Sequence, residues 1–442
     1  THQLLGYVEG QLLYRDSHEI DDEDLAARKS RAAAHYADAE RLFRTALAAQ
    51  PNDSGVRLRL VSVMDSRGIE RRKETLDILE QGLKHDPWNV GLTQRLAYRL
   101  VEFGRLREAM EKLDRFSALP QGKDELLWWS QFEILHDAGR FDEKLAYHVE
   151  LLVNDPAAYS RGRPLSHLWW TTSSLPLLGL TAEASELYDQ VARIPDPEDA
   201  GTWPMFAGRT VRQFFLEDAF QATTGSEGEV TETYQPRIEA LSNEEILKGW
   251  SLSASIDATT LWESGHRERA IQIVEALRHY SGSPGLWAQR QMMYAEQLAA
   301  WYVELNRMED AKPVLQEIAS HLQNEVDAGM RHVQALLRLA NAYGNLGDTE
   351  NALLALDTAV EYGGYDMDMC CGDYIPDLVN DKAGARPRHW WTSLEGSPEF
   401  EILRTRMRSA VDAQRANIRT LLKTHDMEAL LAPLLEPVEP RR

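Results

Sequence analysis

The sequence predicts an all-α fold built from stacked antiparallel helix pairs. The first observation is a Gly or Asn followed five residues later by Ala, a pair that recurs along the chain. The second is the spacing between recurrences, which is 35 residues from Gly104 to Gly139 and 41 from Asn306 to Gly347. The third is a hydrophobic content of 43%, enough for a continuous core. The recurring pairs are Gly104 and Ala109, Gly179 and Ala184, Gly265 and Ala270, Gly347 and Ala352, and the variant Asn306 and Ala311.

Each half of this recurring pair has a physical role. Gly or Asn closes the first helix because it tolerates a left-handed backbone, and Ala lets the second helix pack close to the first. The longer gap after Asn306 predicts an extended helix there. One turn departs from the pattern, because Gly139 is followed five residues later by Lys144 where the others have Ala.

The segment around Gly347 carries the clearest repeat signature. Large and small apolar positions alternate there at Leu336, Leu339, Ala340, Tyr343, Gly347, Ala352, Leu356 and Ala359. This run resembles the helical hairpin of the tetratricopeptide repeat (TPR) family, firmly at 36–156 and 250–364. The resemblance implies a right-handed α-solenoid whose hairpins bury their apolar faces on one another and leave a concave groove for another molecule.

The same resemblance predicts the domain organisation. It gives an N-terminal stack at 1–221, a polar loop or seam at 222–235, a second stack at 236–364, an irregular segment at 365–398, and a capping helix with a tail at 399–442. The pattern is loose at 157–249, which is why we place the seam there. The capping helix is predicted to cover the apolar end of the array. Its apolar residues are Phe400, Ile402, Leu403, Met407, Val411 and Ile418.

The segment before this helix carries a second resemblance. Leu394, Pro398 and Phe400 resemble the closing segment of TPR regions in bacterial signalling proteins. Such regions commonly follow a winged-helix transcription factor domain or an adenylate cyclase domain, often across one membrane span. The resemblance implies a sensory or regulatory part of a larger protein, and a chain that starts at Thr1 is expected to be a piece of one. Either the cytoplasm or the periplasmic side of a membrane-anchored parent would suit it.

Composition narrows the classes of partner. The chain has 48 basic and 70 acidic residues, a net charge of −22, so this region is not expected to bind nucleic acid. No run of eighteen apolar residues and no signal-peptide order occurs, so no membrane span is predicted. The adjacent Cys370 and Cys371 form no disulfide framework or zinc spacing. We predict no metal and no cofactor.

The sequence lacks the common short motifs of catalytic and phosphate-binding sites. It contains no Gly-rich phosphate loop, no His-Glu-x-x-His and no Gly-x-Ser-x-Gly elbow. We therefore predict that the chain is not an enzyme. One alternative is an all-α toroidal carbohydrate-active enzyme with a tryptophan platform and a pair of carboxylates. Another is an architectural scaffold that nucleates an oligomer.

The helical register predicts which side chains line the groove. Acids recur two residues before the turn residue, near helix C-termini where the helix dipole disfavours them, and this suggests a groove function. The competing interpretation is that acids are common throughout the chain. The predicted partner-binding residues are Tyr98, Glu102, Trp129, Glu133, His136, Asp137, Trp169, Trp262, Glu263, Glu296, Glu304, Arg338, Asn341 and Asn345.

Two features of this set bear on the partner. Aromatic rings mixed with carboxylates suit a protein or peptide, with a basic one preferred, through cation–π and ionic contacts. Arg338, Asn341 and Asn345 share one helix face and resemble part of the carboxylate clamp of chaperone-binding TPRs, although the lysines of the clamp are missing. In the tandem tryptophans, such as Trp169-Trp170, we expect one ring in the core and the other in the groove or between repeats.

Overall fold

The computed structural model describes residues 22–65, 67, 69–117, 125–156, 159, 163–194, 236, 238–247, 251–280, 286–363 and 393–435. Those residues form eighteen α-helices and contain no strand. Consecutive helices joined by short turns pack as antiparallel neighbours, which is the arrangement of an α-solenoid. The predicted fold class is confirmed.

The helices are numbered here in chain order. The first nine are α1 (Asp22–Ala49), α2 (Ser54–Asp65), α3 (Ile69–His85), α4 (Val90–Glu102), α5 (Leu106–Ser117), α6 (Glu125–Asp137), α7 (Phe141–Asn154), α8 (Arg163–Ser174) and α9 (Thr181–Val191). The others are α10 (Asn243–Leu247), α11 (Ser251–Glu263), α12 (Arg267–Tyr280), α13 (Leu286–Glu304), α14 (Met308–Asp327), α15 (Val333–Leu346), α16 (Thr349–Glu361), α17 (Pro398–Thr424) and α18 (Met427–Leu435).

The turns between paired helices have the predicted chemistry. The turn residues adopt positive φ, from 56° at Asn306 to 90° at Gly265. The alanine that follows each of them five residues later is fully buried, which confirms the close approach of the second helix. These alanines are Ala109, Ala184, Ala270, Ala311 and Ala352. The extended helix predicted after Asn306 is α14, with 20 residues.

The chain forms two compact units, and the first consists of Thr1–Leu127 and Arg237–Asp348. In one segment α1 to α5 pack successively, and in the other α11 to α15 do the same. Polar contacts join the two segments within this unit. Arg72 donates to the carboxylate of Glu325 at 3.1 Å, and the backbone N–H of Arg331 donates to the carbonyl of Glu102 at 2.8 Å.

The second unit consists of Trp128–Pro236 and Thr349–Arg442. Within it, α7 packs on α8 and α8 on α9, while α17 packs on both α16 and α7. The C-terminal helix, which the sequence predicts to be an end cap, therefore packs on a helix far away in sequence. Its buried side includes Phe400, Met407 and Val411 as predicted, but Ile402 is 61% exposed because it is rotated off that side by two residues.

The units group the chain differently from the predicted stacks. Each unit combines two separate segments, and one boundary falls between Asp348 and Thr349. That boundary lies in the turn of the hairpin with the clearest repeat signature, so α15 and α16 belong to different units. The predicted seam at 222–235 and most of the irregular segment at 365–398 lie outside the described residues, so those boundaries stay predictions.

Gln414 of α17 joins the two segments of the second unit. Its amide N–H donates to the carbonyl of Gly139 at 2.8 Å, and its amide oxygen accepts from the N–H of Phe141 at 3.1 Å. We expect Gln414→Met to lower the free energy of unfolding by about 1–3 kcal/mol, because it leaves both backbone groups buried without a partner. Urea unfolding followed by circular dichroism measures the change. The exposed Ala413→Gln is the control, and equal urea midpoints for the two variants would contradict this role of Gln414.

Candidate functional site

Three predicted groove acids of the first unit, Glu102, Glu296 and Glu304, are paired with arginines of the same unit. Glu304 at the end of α13 contacts Arg267 at the start of α12, at 3.0 Å. Glu102 contacts Arg99 on its own helix and lies 3.7 Å from Arg72. A carboxylate at a helix C-terminus opposes the helix dipole, and here neighbouring guanidinium groups offset that cost. The acids therefore have an intramolecular role that the sequence pattern did not show.

The clamp-like residues of α15 lie in the same kind of environment. Arg338 contacts Glu296 of α13 at 3.2 Å, and the Glu296 side chain is only 4% exposed. Asn345 donates its amide N–H to the carbonyl of Asn341 at 3.1 Å. The structure thus adds Glu296 of α13 to Arg338, Asn341 and Asn345, which the sequence already places on one helix face.

Trp262 is part of an aromatic stack inside the first unit. Its ring lies parallel to that of Trp301, with centroids 4.5 Å apart, and both residues are 7% exposed. The guanidinium of Arg267 lies 5.0 Å from the Trp262 ring centroid. This geometry fits packing between successive hairpins, whereas the sequence pattern predicted Trp262 in the groove.

The remaining predicted residues fall into three groups. Trp169 and His136 are buried, at 1% and 2% exposure, and offer little surface to a partner. Tyr98 and Glu133 are partly exposed. The side chains of Trp129, Asp137 and Glu263 lie outside the described part of the structure. Contact of these residues with a partner stays a prediction, and burial makes it least suited to Trp169 and His136.

A polar core occupies the second unit around Lys144, at the position where the other turns place alanine. We call it the Lys144 core, and its titratable members are His136, Lys144, His148, Tyr159 and His167. All five are 2% exposed or less. The Lys144 ammonium lies 3.3 Å from Nδ1 of His136 and 4.7 Å from the centroid of the Trp170 ring. The sequence departure at Lys144 was the signal for this core.

Hydrogen bonding in the Lys144 core fits neutral histidines. The Thr171 hydroxyl donates to the carbonyl of His167 at 2.7 Å, so it accepts from Nε2 of His148 at 3.2 Å. Nδ1 of His148 then carries no proton in the neutral ring and can accept from the Tyr159 hydroxyl, 2.7 Å away. The carbonyl of His148, at 3.2 Å, is a second acceptor for the same hydroxyl. Burial, and then the charge of Lys144, lower the pKa of His136, His148 and His167 well below its ordinary value. Burial raises the pKa of Tyr159 well above 10.0.

A metal role for these histidines has no support in the geometry. In the described segments, no group of three or more His, Cys, Asp or Glu side chains is arranged to hold a metal ion. No helix in the same segments is both long enough and apolar enough to cross a bilayer.

A second candidate site is built around the turn between α3 and α4. Pro87 prevents α3 from continuing, and Asn89 caps α4 by accepting a backbone N–H of its first turn at 3.0 Å. The carboxylate of Asp86 accepts from the amide of Asn89 at 2.8 Å and from the hydroxyl of Ser54 at 3.0 Å. These bonds hold the turn in place, and the ring of Trp88 within it remains 56% exposed.

Trp88 lies at the edge of an open cleft between α3, α4 and α5, named here the α3–α5 cleft. Its cavity volume is about 490 Å³, within the range of ligand sites. The floor includes Thr93, which is 2% exposed and whose hydroxyl has no hydrogen-bond partner among the described residues. The lining residues are Glu80, Leu83, Lys84, Pro87, Trp88, Thr93, Leu96, Arg105, Glu108, Lys112 and Arg115.

The cleft differs from the predicted groove in position and charge. None of the predicted partner-binding residues lines it, because the prediction used the first helix of each hairpin, and α3 and α5 are second helices. A signal was present in the sequence. Lys112 and Arg115 lie three residues apart on one face of α5, and Arg105 comes directly before that helix. Trp88 follows a helix-ending proline.

Comparisons with known proteins add little to this picture. No family model matches the chain, and no curated protein matches it. A solved structure described as a "Circular tandem repeat protein with novel repeat topology and enhanced subunit contact surfaces" is 14% identical over 98% of this chain and 99% of that one. The TM-score of this match is 0.21, and we base no argument on it.

Proposed function

We propose that this chain is a non-catalytic helical-repeat module that holds a segment of a partner protein in the α3–α5 cleft. The observation that carries the proposal is the ring of Trp88, fixed by the capped turn and 56% exposed beside a cavity of about 490 Å³. Exposed tryptophans at the edge of a cleft are typical anchors of protein interfaces, since they bury a large area at little cost in side-chain entropy.

The sequence resemblances supply the wider setting of this proposal. We propose that the module is TPR-related and serves as a sensory or regulatory part of a larger bacterial signalling protein. The parent would place it in the cytoplasm or on the periplasmic side of a membrane. The absence of catalysis rests on the missing motifs, and any chemistry would belong to another domain of the parent.

Selection from a random phage-displayed peptide library on the full chain tests the proposal. We expect enriched peptides that compete with one another and that bind Trp88→Ala at least about tenfold more weakly, the usual loss on truncating an aromatic anchor. Ile402→Ala is the matched control, because Ile402 is also an exposed apolar side chain, at 61%. No enrichment, or equal binding to wild type and Trp88→Ala, would contradict the proposal.

A further inference from the structure

We propose that the α3–α5 cleft selects an acidic peptide segment that carries an apolar or aromatic side chain among its carboxylates. This inference rests on the proposed function and names the chemistry of its partner. It reverses the preference for a basic partner that the sequence suggested.

Positive charge predominates in the lining of the cleft. Four cations and two carboxylates line it, and one cation, Arg105, contacts both carboxylates, Glu108 at 2.8 Å and Glu80 at 3.6 Å. The other three cations are Lys84, Lys112 and Arg115. Within the described residues, no carboxylate forms an ion pair with any of these three. They are therefore available to carboxylates of a bound chain.

A basic partner has less support than the sequence pattern suggested. The preference for such a partner rested on groove carboxylates, and Glu102, Glu296 and Glu304 each contact an arginine of the first unit. A basic peptide would have to displace those arginines before it gained ionic contacts. In the α3–α5 cleft, an acidic peptide meets cations that have no such competitor among the described residues.

The rest of the cleft lining is largely apolar. Trp88, Leu83 and Leu96 offer apolar surface to one side chain of the peptide. A ligand with both carboxylates and an apolar anchor can contact the cations and the apolar residues of the lining, whereas a simple inorganic anion would contact only the cations.

A peptide fits this site better than a nucleic acid. The chain carries a net charge of −22, so a long polyanion that extends beyond the cleft would be repelled along most of its length. A short acidic segment escapes that repulsion, because charges beyond about 8 Å are screened at physiological ionic strength.

An array of short peptides on the full chain tests the inference. The net charge of the peptides runs from strongly negative to strongly positive, and each peptide is made with a central Phe and with a central Ala. We expect the acidic peptides with Phe to bind best. The double variant Lys112→Glu with Arg115→Glu should weaken their binding by at least about tenfold, because two attractions become repulsions.

The control for charge is Arg59→Glu with Lys312→Glu. Both residues are exposed in the first unit and neither lines the cleft, so this variant makes the same net-charge change elsewhere. Acidic peptides should bind this control like wild type.

Preferential binding of neutral or basic peptides that still depends on Trp88 would overturn the acidic preference and keep the proposed function. Binding of no peptide at all would overturn both, and stronger binding of single-stranded RNA that is lost in the cleft variant would overturn the choice of a peptide.

Discussion

Lowering the pH from about 7.5 to about 5.5 is expected to lower the free energy of unfolding of the second unit by up to about 4 kcal/mol. The cause is the Lys144 core, where His136, His148 and His167 stay neutral in the folded state because burial and Lys144 lower the pKa of each. In the unfolded chain the same side chains take up protons near their ordinary pKa of about 6.5. The unfolded state then binds more protons, so stability is lost as the pH falls below that value.

Urea unfolding at a series of pH values measures this effect. Replacing His148 by Gln should make the pH dependence shallower by the contribution of one proton. Phe132→Leu is the matched control, because Phe132 stacks on His148 with centroids 4.1 Å apart but carries no titratable group. We expect this control to lower stability by a similar amount at every pH. If the free energy of unfolding of the wild type does not change between about pH 7.5 and about pH 5.5, the core histidines are not held neutral.

Arg99→Met is expected to destabilise the first unit by about 3–5 kcal/mol, the usual result of removing one partner of a buried ion pair. Arg99 is 7% exposed and contacts Asp65 at 3.0 Å as well as Glu102. Burial disfavours its charged form, but Glu102 and Asp65 outweigh burial and raise the pKa of Arg99. Without Arg99, two carboxylates remain close together in a largely dry environment.

The midpoint of urea unfolding and hydrogen exchange in 54–102 report this loss. The double variant Asp65→Asn with Arg99→Met should recover part of the stability, because it replaces one of the two carboxylates that Arg99→Met leaves without a guanidinium partner. Arg41→Met is the control, since Arg41 pairs with Asp38 at 3.1 Å on the exposed surface and such pairs contribute about 0–1 kcal/mol. Equal effects of Arg99→Met and Arg41→Met would contradict the role of the buried network.

Local structure was predictable because it depends on short-range pattern. A left-handed turn residue followed by a small residue fixes one hairpin, and Asn306 with Ala311 did so as well as the glycine pairs. The pairing of distant segments was not predictable. The bonds of Gln414 to Gly139 and Phe141 span more than 270 residues, and no periodicity in the sequence encodes which hairpins share a unit.

The candidate site was harder to predict than the fold for a related reason. Helical register shows which face a residue occupies, but it does not show whether an arginine from another hairpin already neutralises it. Glu296 and Arg338 illustrate this, since both were predicted to face a partner and they contact each other. The overall composition does not indicate the cations Lys112 and Arg115, because the chain as a whole is acidic and a local group of cations does not change the sign of its net charge.

The central claim is that a peptide is held in the α3–α5 cleft, and hydrogen exchange of the full chain with and without an acidic, Phe-containing peptide tests it most directly. We predict that the bound peptide slows exchange in 80–115, which contains the cleft lining, and that Trp88→Ala abolishes this protection. Protection confined to 251–361, where most of the clamp-like and groove residues lie, or to the second unit would contradict the account.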